Sequence, residues 1–590
     1  VVVFVLNATL FVPIGQRMGA LMEKFESLRA YSINILGSVL GVVAFALLSF
    51  VGGFLNSPEL WFGLAGFVSL WFFLDDKRSL ALAAVSLVAV TFLIKVSSSE
   101  DIWSPYYSIQ LRQRKNNGVA LFVNKFFHQE AVDFNADPEE EEKYSVPYYL
   151  KQPKKILILG AGTGNDVAIA ARHGVTDITA VEIDPVIVEL GRELHPAQPY
   201  ENPGVRVVVD DARSFLKKTH DKYDMVVFGT LDSHALLSGL STVRLDNYVY
   251  TDQSLEDVKR CLTDDGIVVL MFSAPVDWIG DRLIDMTATV FNDPHTIVFL
   301  GTKSRLFGLM ILAGPGVRDV GPRSYSGGLL QVDYQTVERF KVPGAAKGKA
   351  GRTLEFAEIK DVKPRADLPM DNWPYLYLKE KTVPGHYLKA IAWMSLLSVG
   401  AIYAASSKGS RGIDLNFFSL GCAFMLLETK SVTTLSLIFG STWIVNAFVF
   451  GAILVMILLA NSYVLKRGVK SVNAVYALLG MSLLLNYVLP VSSFLGLGYW
   501  TRSLLGVFWT ALPMFFSAIL FAFCFKSVRK IGWVFGSNLV GAVLGGFLEY
   551  SSMATGLNFL YVIAAAFYLI SYLSWRPHRP YFSTEIPAPT

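Results

Sequence analysis

Three polar side chains follow a short apolar run near the middle of the chain. Residues 225–228 (MVVF) have the length and composition of a buried strand. Asp232 and His234 come directly after it, and Tyr248 lies in the same polar stretch. Catalytic groups of α/β enzymes often lie at the carboxyl ends of buried strands, where a carboxylate or an imidazole can take a proton from an attacking group. We therefore predict a catalytic set of Asp232, His234 and Tyr248, in which Asp232 is the first candidate for the base and His234 is the second.

A glycine-rich turn upstream predicts a ligand site. The segment KKILILGAGTGNDVAIAARHG, residues 154–174, has the pattern of a buried strand, a turn and a helix. Gly160, Gly162 and Gly164 let a ligand approach the backbone, and the N-terminus of the helix follows them. Asp166 stands in the first turn of that helix and belongs to the predicted binding set.

Carboxylates follow the next two apolar runs. Glu182 ends the run in ITAVEIDP, and Asp210 and Asp211 end the run in VRVVVDD. Glu182 is placed to accept hydrogen bonds from both hydroxyls of a ribose, and a carboxylate at 210–211 can accept one from an adenine amino group. NAD also fits a glycine turn followed by an acid, but Asn165 stands where the dinucleotide pattern has its third glycine. The structural alternative is that the glycines only turn a strand into a helix.

Alternating strands and helices would position these groups. KYDMVVF (222–228) and GIVVLMF (266–272) add two further apolar strands to the three already named. Strand–helix alternation predicts a doubly wound parallel sheet with its ligand at the carboxyl ends of the strands. We therefore expect a Rossmann-like α/β domain.

Long apolar runs flank this domain on both sides. The chain has 590 residues, 52% of them hydrophobic, and a mean hydropathy of +0.42, which is high for a soluble protein of this length. We predict an α-helical multipass membrane protein with the α/β domain inserted between two membrane blocks. Because residue 1 is not Met and the chain opens inside an apolar run, we expect a truncated N-terminus. The first predicted membrane block has about four helices at 1–96, the first of them incomplete, and the second has about seven helices at 386–576. Between them lies a soluble domain at 97–385, which is divided into a β-hairpin lid at 97–150, a nucleoside-binding sheet at 151–315 and a tail at 316–385. A C-terminal tail follows at 577–590.

The apolar runs contain an apparent repeat and a few charges. NILGSVLG (34–41) matches NLVGAVLG (538–545), and glycines at this spacing favour close helix packing. Glu428 and Lys430 are two residues apart and therefore do not share a helix face. Each is expected to pair with another helix or to reach an interface, and a charge within the membrane is also a functional hypothesis.

The motifs GAGTGND, VEIDP and DDAR resemble those of class I S-adenosylmethionine-dependent transferases, and the spermidine synthase (polyamine aminopropyltransferase) family in particular. SPYYSIQL (104–111) and VNKFFHQ (123–129) are similar to the β-hairpin region that covers the aminopropyltransferase pocket. GCAFMLLETKSV and DNWPYLYL (371–378) resemble bacterial multipass proteins in which such a domain is fused to membrane helices. The resemblance implies S-adenosylmethionine or its decarboxylated form as cofactor, with Gln129 as a lid residue near it.

The sequence departs from this family on the acceptor side. The first acid of the family's loop after the fourth strand becomes Gly229, and the second becomes Asp232. The acid in the family's glycine turn becomes Thr163, and a Gln-Glu pair of the lid falls at Ser145-Val146. A diamine is a poor acceptor for such a pocket, because each ammonium is costly to bury unpaired. Asp371 is expected to approach the pocket from the tail.

Three functions fit these residues. The first is a membrane-embedded transferase that moves a methyl or aminopropyl group to an amine or another small acceptor. The second is an inactive synthase-like domain that serves as a structural or interaction subunit of a membrane complex. The third, a transporter with a ligand-sensing domain, is motivated by the repeat and by Glu428. We predict no metal site and no nucleic-acid partner.

The membrane side of the domain is predicted in two contradictory ways. We expect the chain to lie in the lipid bilayer of a bacterial inner membrane. The short loops on one side are rich in Lys and Arg, whereas the opposite short loops hold only Arg502. By the positive-inside rule, the side that is rich in Lys and Arg faces the cytoplasm. That rule places the domain outside the cytoplasm, whereas S-adenosylmethionine is made inside. Either the flanking helices do not cross, or the rule fails here, or the domain no longer uses the nucleotide.

Overall fold

A computed structural model describes residues 15–22, 24–51, 57–74, 76–231, 246–272, 277–291, 295–300, 309–318, 329–332, 345–347, 353–359, 367–405, 412–439, 443–494, 499–526, 528 and 531–575. Asp232 and His234 lie outside these residues. The described residues form two compact units, one within 1–44, 380–439 and 444–590, and the other within 45–379 and 440–443.

The second unit contains a large sheet with helices on both faces. The strands of its parallel part are β5 (Lys155–Leu159), β6 (Asp177–Glu182), β7 (Val205–Val209), β8 (Tyr223–Phe228) and β9 (Leu262–Phe272). They lie side by side in the order β9-β8-β5-β6-β7. The helices along this part are α4 (Pro138–Leu150), α5 (Asn165–Arg172), α6 (Pro185–Leu194), α7 (Ala212–Lys218), α8 (Asp252–Cys261) and α9 (Asp277–Phe291).

Both faces of β5 are buried, whereas β7 at the end of the sheet is only partly buried. In β5, Leu157 and Leu159 belong to one hydrophobic cluster, and Ile156 and Ile158 belong to the other. Side chains alternate between the two faces of a strand, so an uninterrupted apolar run satisfies two cores at once. This explains why the runs read from the sequence coincide with the strands.

The predicted parallel sheet forms only part of the observed sheet, which is mixed. Beyond β9 it continues with β11 (Leu309–Ala313), β10 (His295–Leu300) and β14 (Thr353–Ile359), each antiparallel to its neighbour. Two short strands, β12 (Leu329–Val332) and β13 (Ala345–Lys347), pair with β14. The change from parallel to antiparallel pairing occurs where β11 pairs with β9, and β11 then pairs with β10 on its other edge.

A small antiparallel sheet precedes the large one, in the region where we predicted a β-hairpin. Its strands run in the order β1 (Ile102–Trp103), β2 (Ser108–Gln113), β3 (Val119–Val123) and β4 (Phe126–Ala131). Ile109, Leu121 and Ala131 of this sheet pack with Ile187 and Leu190 of α6. We call these four strands the lid sheet.

The remaining elements are apolar helices. Near the N-terminus they are α1 (Ser27–Val51), α2 (Pro58–Ser69) and α3 (Lys77–Ser97). After the sheet come α10 (Gly385–Ala405), α11 (Leu415–Phe439), α12 (Trp443–Arg467), α13 (Val472–Val488), α14 (Tyr499–Lys526), α15 (Ile531–Leu548), α16 (Ser552–Thr555) and α17 (Phe559–Ser574).

Four helical stretches among the described residues are long and apolar enough to cross a membrane: Ser27–Ser49, Lys77–Ser97, Val445–Arg467 and Ser503–Lys526. Three apolar runs that we expected at membrane-spanning length form shorter helices instead, at Pro58–Phe73, Val472–Val488 and Phe559–Ser574.

The two copies of the repeat pack differently. Gly541 and Gly545 of α15 lie so close to α11 that a Cβ on either would overlap the backbone of Phe418 or Cys422. A Cβ on Gly37 or Gly41 of α1 would meet nothing within 4 Å among the described residues. The close packing predicted from the repeat therefore holds for the second copy.

The two charges of α11 have different surroundings, as their spacing predicted. Glu428 lines a cavity of about 110 Å³ together with Tyr31 and Asn538. The Lys430 side chain is buried, with its Nζ 5.6 Å from the centre of the Tyr561 ring.

Candidate functional site

The glycine turn joins β5 to α5 and has the backbone geometry that only glycine adopts easily. Gly160, Gly162 and Gly164 have φ angles of 71°, 56° and 104°. Gly164 caps the helix, and the N–H groups of Gly160 and Ala161 both donate to the Val181 carbonyl at 2.9 Å. The turn is thereby held against the end of β6, where Glu182 stands.

Glu182 is tied directly to this turn. Its Oε2 accepts a hydrogen bond from the Gly162 N–H at 2.8 Å, and its Oε1 accepts one from the Asp184 N–H at 3.0 Å. Burial raises the pKa of Glu182 to about 7, although the two backbone hydrogen bonds oppose that change. Each oxygen keeps a second lone pair, so the carboxylate can still accept hydrogen bonds from a ligand.

Gln129 reaches the same turn from β4 of the lid sheet. Its Oε1 accepts from the Thr163 N–H at 3.0 Å and lies 3.4 Å from the Thr163 hydroxyl. A Cβ on Gly162 would overlap this amide. Gln129 therefore lies beside the glycine turn.

The two acids after β7 have structural contacts of their own. Asp211 is buried and caps α7, since its Oδ1 accepts from the Ser214 N–H at 2.8 Å. Asp210 accepts a hydrogen bond from the Lys218 ammonium at 2.8 Å. A nucleoside contact is compatible with Asp211, because a carboxylate that caps a helix through one oxygen has further acceptor capacity.

Tyr106 brings the lid to these acids. Burial chiefly, and then the negative charges of Asp184, Asp211 and Glu182, raise the pKa of the Tyr106 phenol. The tyrosine must lie near all three carboxylates for their charges to act on it. The structure thus brings together the glycine turn, the acids after β6 and β7, and two lid residues.

Asp166 is a buried acid at the start of α5. It is 8% exposed, and burial raises its pKa to about 7. A Cβ on Gly229, at the end of β8, would stand 3.0 Å from Asp166 Oδ2. The carboxylate therefore borders both the glycine turn and the strand end at which the catalytic groups were predicted.

Asn165 has a role that the sequence did not reveal. Its Oδ1 accepts from the Val132 N–H and contacts His195 Nε2, both at 3.1 Å. Its Nδ2 lies 2.8 Å from the Glu130 carbonyl and 3.3 Å from the Tyr144 hydroxyl. One amide thus joins the lid, α4 and the end of α6 to the helix that follows the glycine turn. Its place in the dinucleotide pattern drew attention to Asn165, but no local signal named its partners.

Tyr248 and Asp371, the two remaining predicted residues, have contacts with the segments that follow residue 245. Tyr248 is buried beyond the segment 232–245, and its carbonyl accepts from the Thr251 hydroxyl at 3.3 Å. Asp371 accepts from Thr251 at 2.9 Å and pairs with Arg213 at 3.2 Å, so its described contacts are structural.

The sequence of this domain is similar to the sequences of known proteins. Residues 142–277 match the family described as "Spermine/spermidine synthase domain". The polyamine aminopropyltransferase of Serratia proteamaculans is 34% identical over 122 residues, which are 20% of this chain and 39% of that enzyme. The polyamine aminopropyltransferase of Pyrobaculum calidifontis is 27% identical over 187 residues, which are 30% of this chain and 62% of that enzyme.

These matches span 39% and 62% of the length of the two relatives, and 20% and 30% of this chain. The crystal structure of spermidine synthase from Thermotoga maritima aligns with 18% identity and a TM-score of 0.31, covering 38% of this chain and 77% of that one. The glycine turn, Glu182 and the acids after β7 all fall within the matched residues 142–277. The chain therefore carries a spermidine-synthase-like domain, joined in sequence to long apolar helices.

Proposed function

We propose that this protein is a membrane-embedded transferase that uses S-adenosylmethionine or decarboxylated S-adenosylmethionine to alkylate a small acceptor. The observation that carries the proposal is the hydrogen bond between Glu182 and the Gly162 N–H. It sets a carboxylate against a glycine turn at the carboxyl end of a parallel sheet, where nucleotides bind in open α/β folds.

The binding side is assigned to the residues around that hydrogen bond. Glu182 would hold the ribose hydroxyls, and Asp211 the adenine amino group. Gly160, Gly162 and Gly164 would lie along the tail of the nucleoside donor, with Asp166 and Gln129 beside them. Asp210, which is paired with Lys218, would support the adenine side.

The acceptor side is assigned to the predicted catalytic set. A sulfonium donor supplies an activated carbon: the acceptor atom bonds to that carbon, the C–S bond breaks with its electron pair going to sulfur, and the acceptor loses a proton. Asp232 would take this proton, and His234 is the second candidate for that role. Tyr248 would border the acceptor. Thr163 and Gly229 stand at two positions where the family has carboxylates. Because a second ammonium would then be buried without a negative partner, we favour an acceptor with a single amine over a diamine.

Location in the membrane is part of the proposal. The four long apolar helices support insertion into a bilayer. The alternative function is an inactive domain that acts as a subunit of a membrane complex, and the same two replacements, Thr163 and Gly229, favour it.

Calorimetric titration of the purified full chain separates the two functions. We expect methylthioadenosine, and at least one of the two donors, to bind. Glu182→Ala should weaken methylthioadenosine at least ~100-fold, because two hydrogen bonds to a charged group contribute about 3 kcal/mol or more. Glu193→Gln, an exposed acid on α6, is the control and should bind like the wild type. If no nucleoside binds, the inactive-subunit function is favoured; if Glu182→Ala binds normally, the site is misassigned.

A further inference from the structure

A cavity among the apolar helices contains a carboxylate. It has a volume of about 110 Å³ and lies between α1, α11, α12, α14 and α15, so all of its walls belong to the first compact unit. Glu428 of α11 lines it with a half-buried side chain. Among the described residues, no side chain forms an ion pair or a hydrogen bond with the Glu428 carboxylate. Because a carboxylate among apolar side chains is costly without a positive partner, a cation would be favoured in this cavity.

Aromatic rings form part of the wall around this carboxylate. Tyr31 of α1, Phe424 of α11 and Phe521 of α14 all line the cavity. The Tyr31 ring is held in a cluster, since the ring centres of Phe521, Phe525 and Phe535 lie 5.4, 5.8 and 6.3 Å from its own. Aromatic rings attract ammonium groups, whereas a hard metal ion needs a shell of six or more oxygen ligands. A carboxylate with aromatic neighbours therefore favours an organic cation over an inorganic one.

The acid is fixed beside a second oxygen acceptor. Asn538 of α15 also lines the cavity, and its Nδ2 donates to the Phe417 carbonyl at 3.0 Å. Within the described part of the chain, the oxygen of this amide accepts no hydrogen bond. A Cβ on Gly421 would overlap the backbone oxygen of Asn538, so α11 and α15 are in direct contact here. An ammonium group donates three hydrogen bonds and accepts none, and this wall offers it a carboxylate and an amide oxygen.

The wall has no group that would bind an anion by charge. None of the described residues that line the cavity is Lys, Arg or His. Lys430, two positions from Glu428, does not line the cavity, and its Nζ lies 5.6 Å from the centre of the Tyr561 ring. A phosphate or carboxylate on the ligand would therefore meet the charge of Glu428 without compensation. The volume is smaller than the ~150 Å³ of an apolar cavity that holds benzene, which limits the ligand to a few carbon atoms.

We propose that the cavity around Glu428 binds a small organic amine in its ammonium form, without an acidic group on the same molecule. The Glu428 carboxylate would accept hydrogen bonds from the ammonium and balance its charge, and the aromatic rings would contact its carbon atoms. None of the lining residues falls within 142–277, the residues that match the synthase family. The proposal is therefore independent of the nucleoside site and of the proposed function.

Equilibrium binding of radiolabelled propylamine to the purified full chain in detergent at pH 7 tests this site. We expect saturable binding that unlabelled propylamine displaces. Equal concentrations of propanol, which lacks the charge, and of β-alanine, which adds a carboxylate, should not displace it. These comparisons use the wild type and do not depend on the folding of a variant. Absence of saturable binding, or displacement by propanol, β-alanine or sodium as strong as that by propylamine, would overturn the proposal.

Variants assign the binding to the cavity. Glu428→Gln keeps the size of the side chain and removes its charge, so it should weaken propylamine ~10- to 100-fold. Tyr31→Phe keeps the ring and should bind within about threefold of the wild type, whereas Tyr31→Leu should weaken binding ~3- to 10-fold. Glu380→Gln, an exposed acid of the same unit, is the matched control and should bind like the wild type. Melting temperatures in the same detergent identify the folded variants, and normal binding by folded Glu428→Gln would overturn the site.

Discussion

His195 Nε2 lies 3.1 Å from the side-chain oxygen of Asn165, and both residues are buried. On the other side of the ring, the Ala197 N–H donates to His195 Nδ1 at 3.1 Å. Because Nδ1 accepts, the proton of the neutral ring is on Nε2, which donates to Asn165. The helix after the glycine turn is thus connected to the end of α6 through a neutral imidazole.

Stability of the chain should depend on pH through His195. Burial first, and then the charge of Arg172, lowers its pKa from 6.5 to about 4. Between these two values the unfolded chain binds a proton that the folded chain does not, so this contribution to stability falls with falling pH, by up to about 3 kcal/mol. His195→Gln lacks the effect, and its deficit in melting temperature against the wild type should shrink from pH 7 to pH 4.

The comparison with the wild type is needed because two acids act in the opposite direction. The raised pKa values of Asp166 and Glu182, both about 7, stabilise the fold at low pH, and this contribution is lost as the pH rises toward 7. A deficit for His195→Gln that stays constant with pH would show that the imidazole is not held neutral.

Restoring the family's acid at position 229 should not restore the site. In Gly229→Asp the new Cβ would stand 2.7 Å from the Gly160 oxygen and 3.0 Å from the Asp166 carboxylate. We expect a loss of about 1–3 kcal/mol, seen as a lower melting temperature. The same substitution in an Asp166→Ala background should cost less, because one of the two close contacts is gone. Equal costs in the two backgrounds would contradict the contact between positions 166 and 229.

Asp371 should matter for folding and not for nucleoside binding. Asp371→Ala removes one partner of Arg213, which is 2% exposed and also pairs with Asp257. Breaking a buried ion pair is expected to cost about 2–4 kcal/mol here, since the second carboxylate remains. The melting temperature should fall while the affinity for methylthioadenosine of the folded protein stays within about twofold. Glu380→Ala, an exposed acid in the same segment, is the control; a selective loss of affinity in Asp371→Ala would place Asp371 in the pocket.

Two glycines of α15 should respond oppositely to alanine. In Gly541→Ala the methyl group would overlap the Phe418 carbonyl of α11, so we expect a destabilisation of about 1–3 kcal/mol. In Gly536→Ala the methyl group meets nothing within 4 Å among the described residues, and the gain in helix propensity, up to about 1 kcal/mol, makes the change neutral or stabilising. Thermal unfolding of the full chain in one detergent would compare them, and similar melting temperatures would argue against the close packing of α11 and α15.

Elements with local signals could be predicted from the amino-acid sequence alone. An apolar run that ends at glycine or an acid can be read residue by residue, because a strand buried on both faces has no polar position to interrupt it. For that reason β5, β6 and β8 lie where the pattern predicted them. The strand β7 also lies at its predicted place, although it is only partly buried. The acids that we propose to bind the nucleoside were found in the same way, since Glu182 ends β6 and Asp210 and Asp211 directly follow β7.

Contacts between distant surfaces became visible in the three-dimensional structure and could not be predicted from the sequence. The pattern did not predict the antiparallel half of the sheet, because the pairing of β11 with β9 depends on the path of the chain between them. Gly37 and Gly541 have similar sequence surroundings, yet among the described residues only Gly541 has a close partner. Likewise, Asn165 contacts His195 across 30 positions, and Arg213 pairs with Asp371 across 158. Such contacts depend on how distant segments pack in three dimensions, and that packing cannot be inferred from the spacing of residues along the chain.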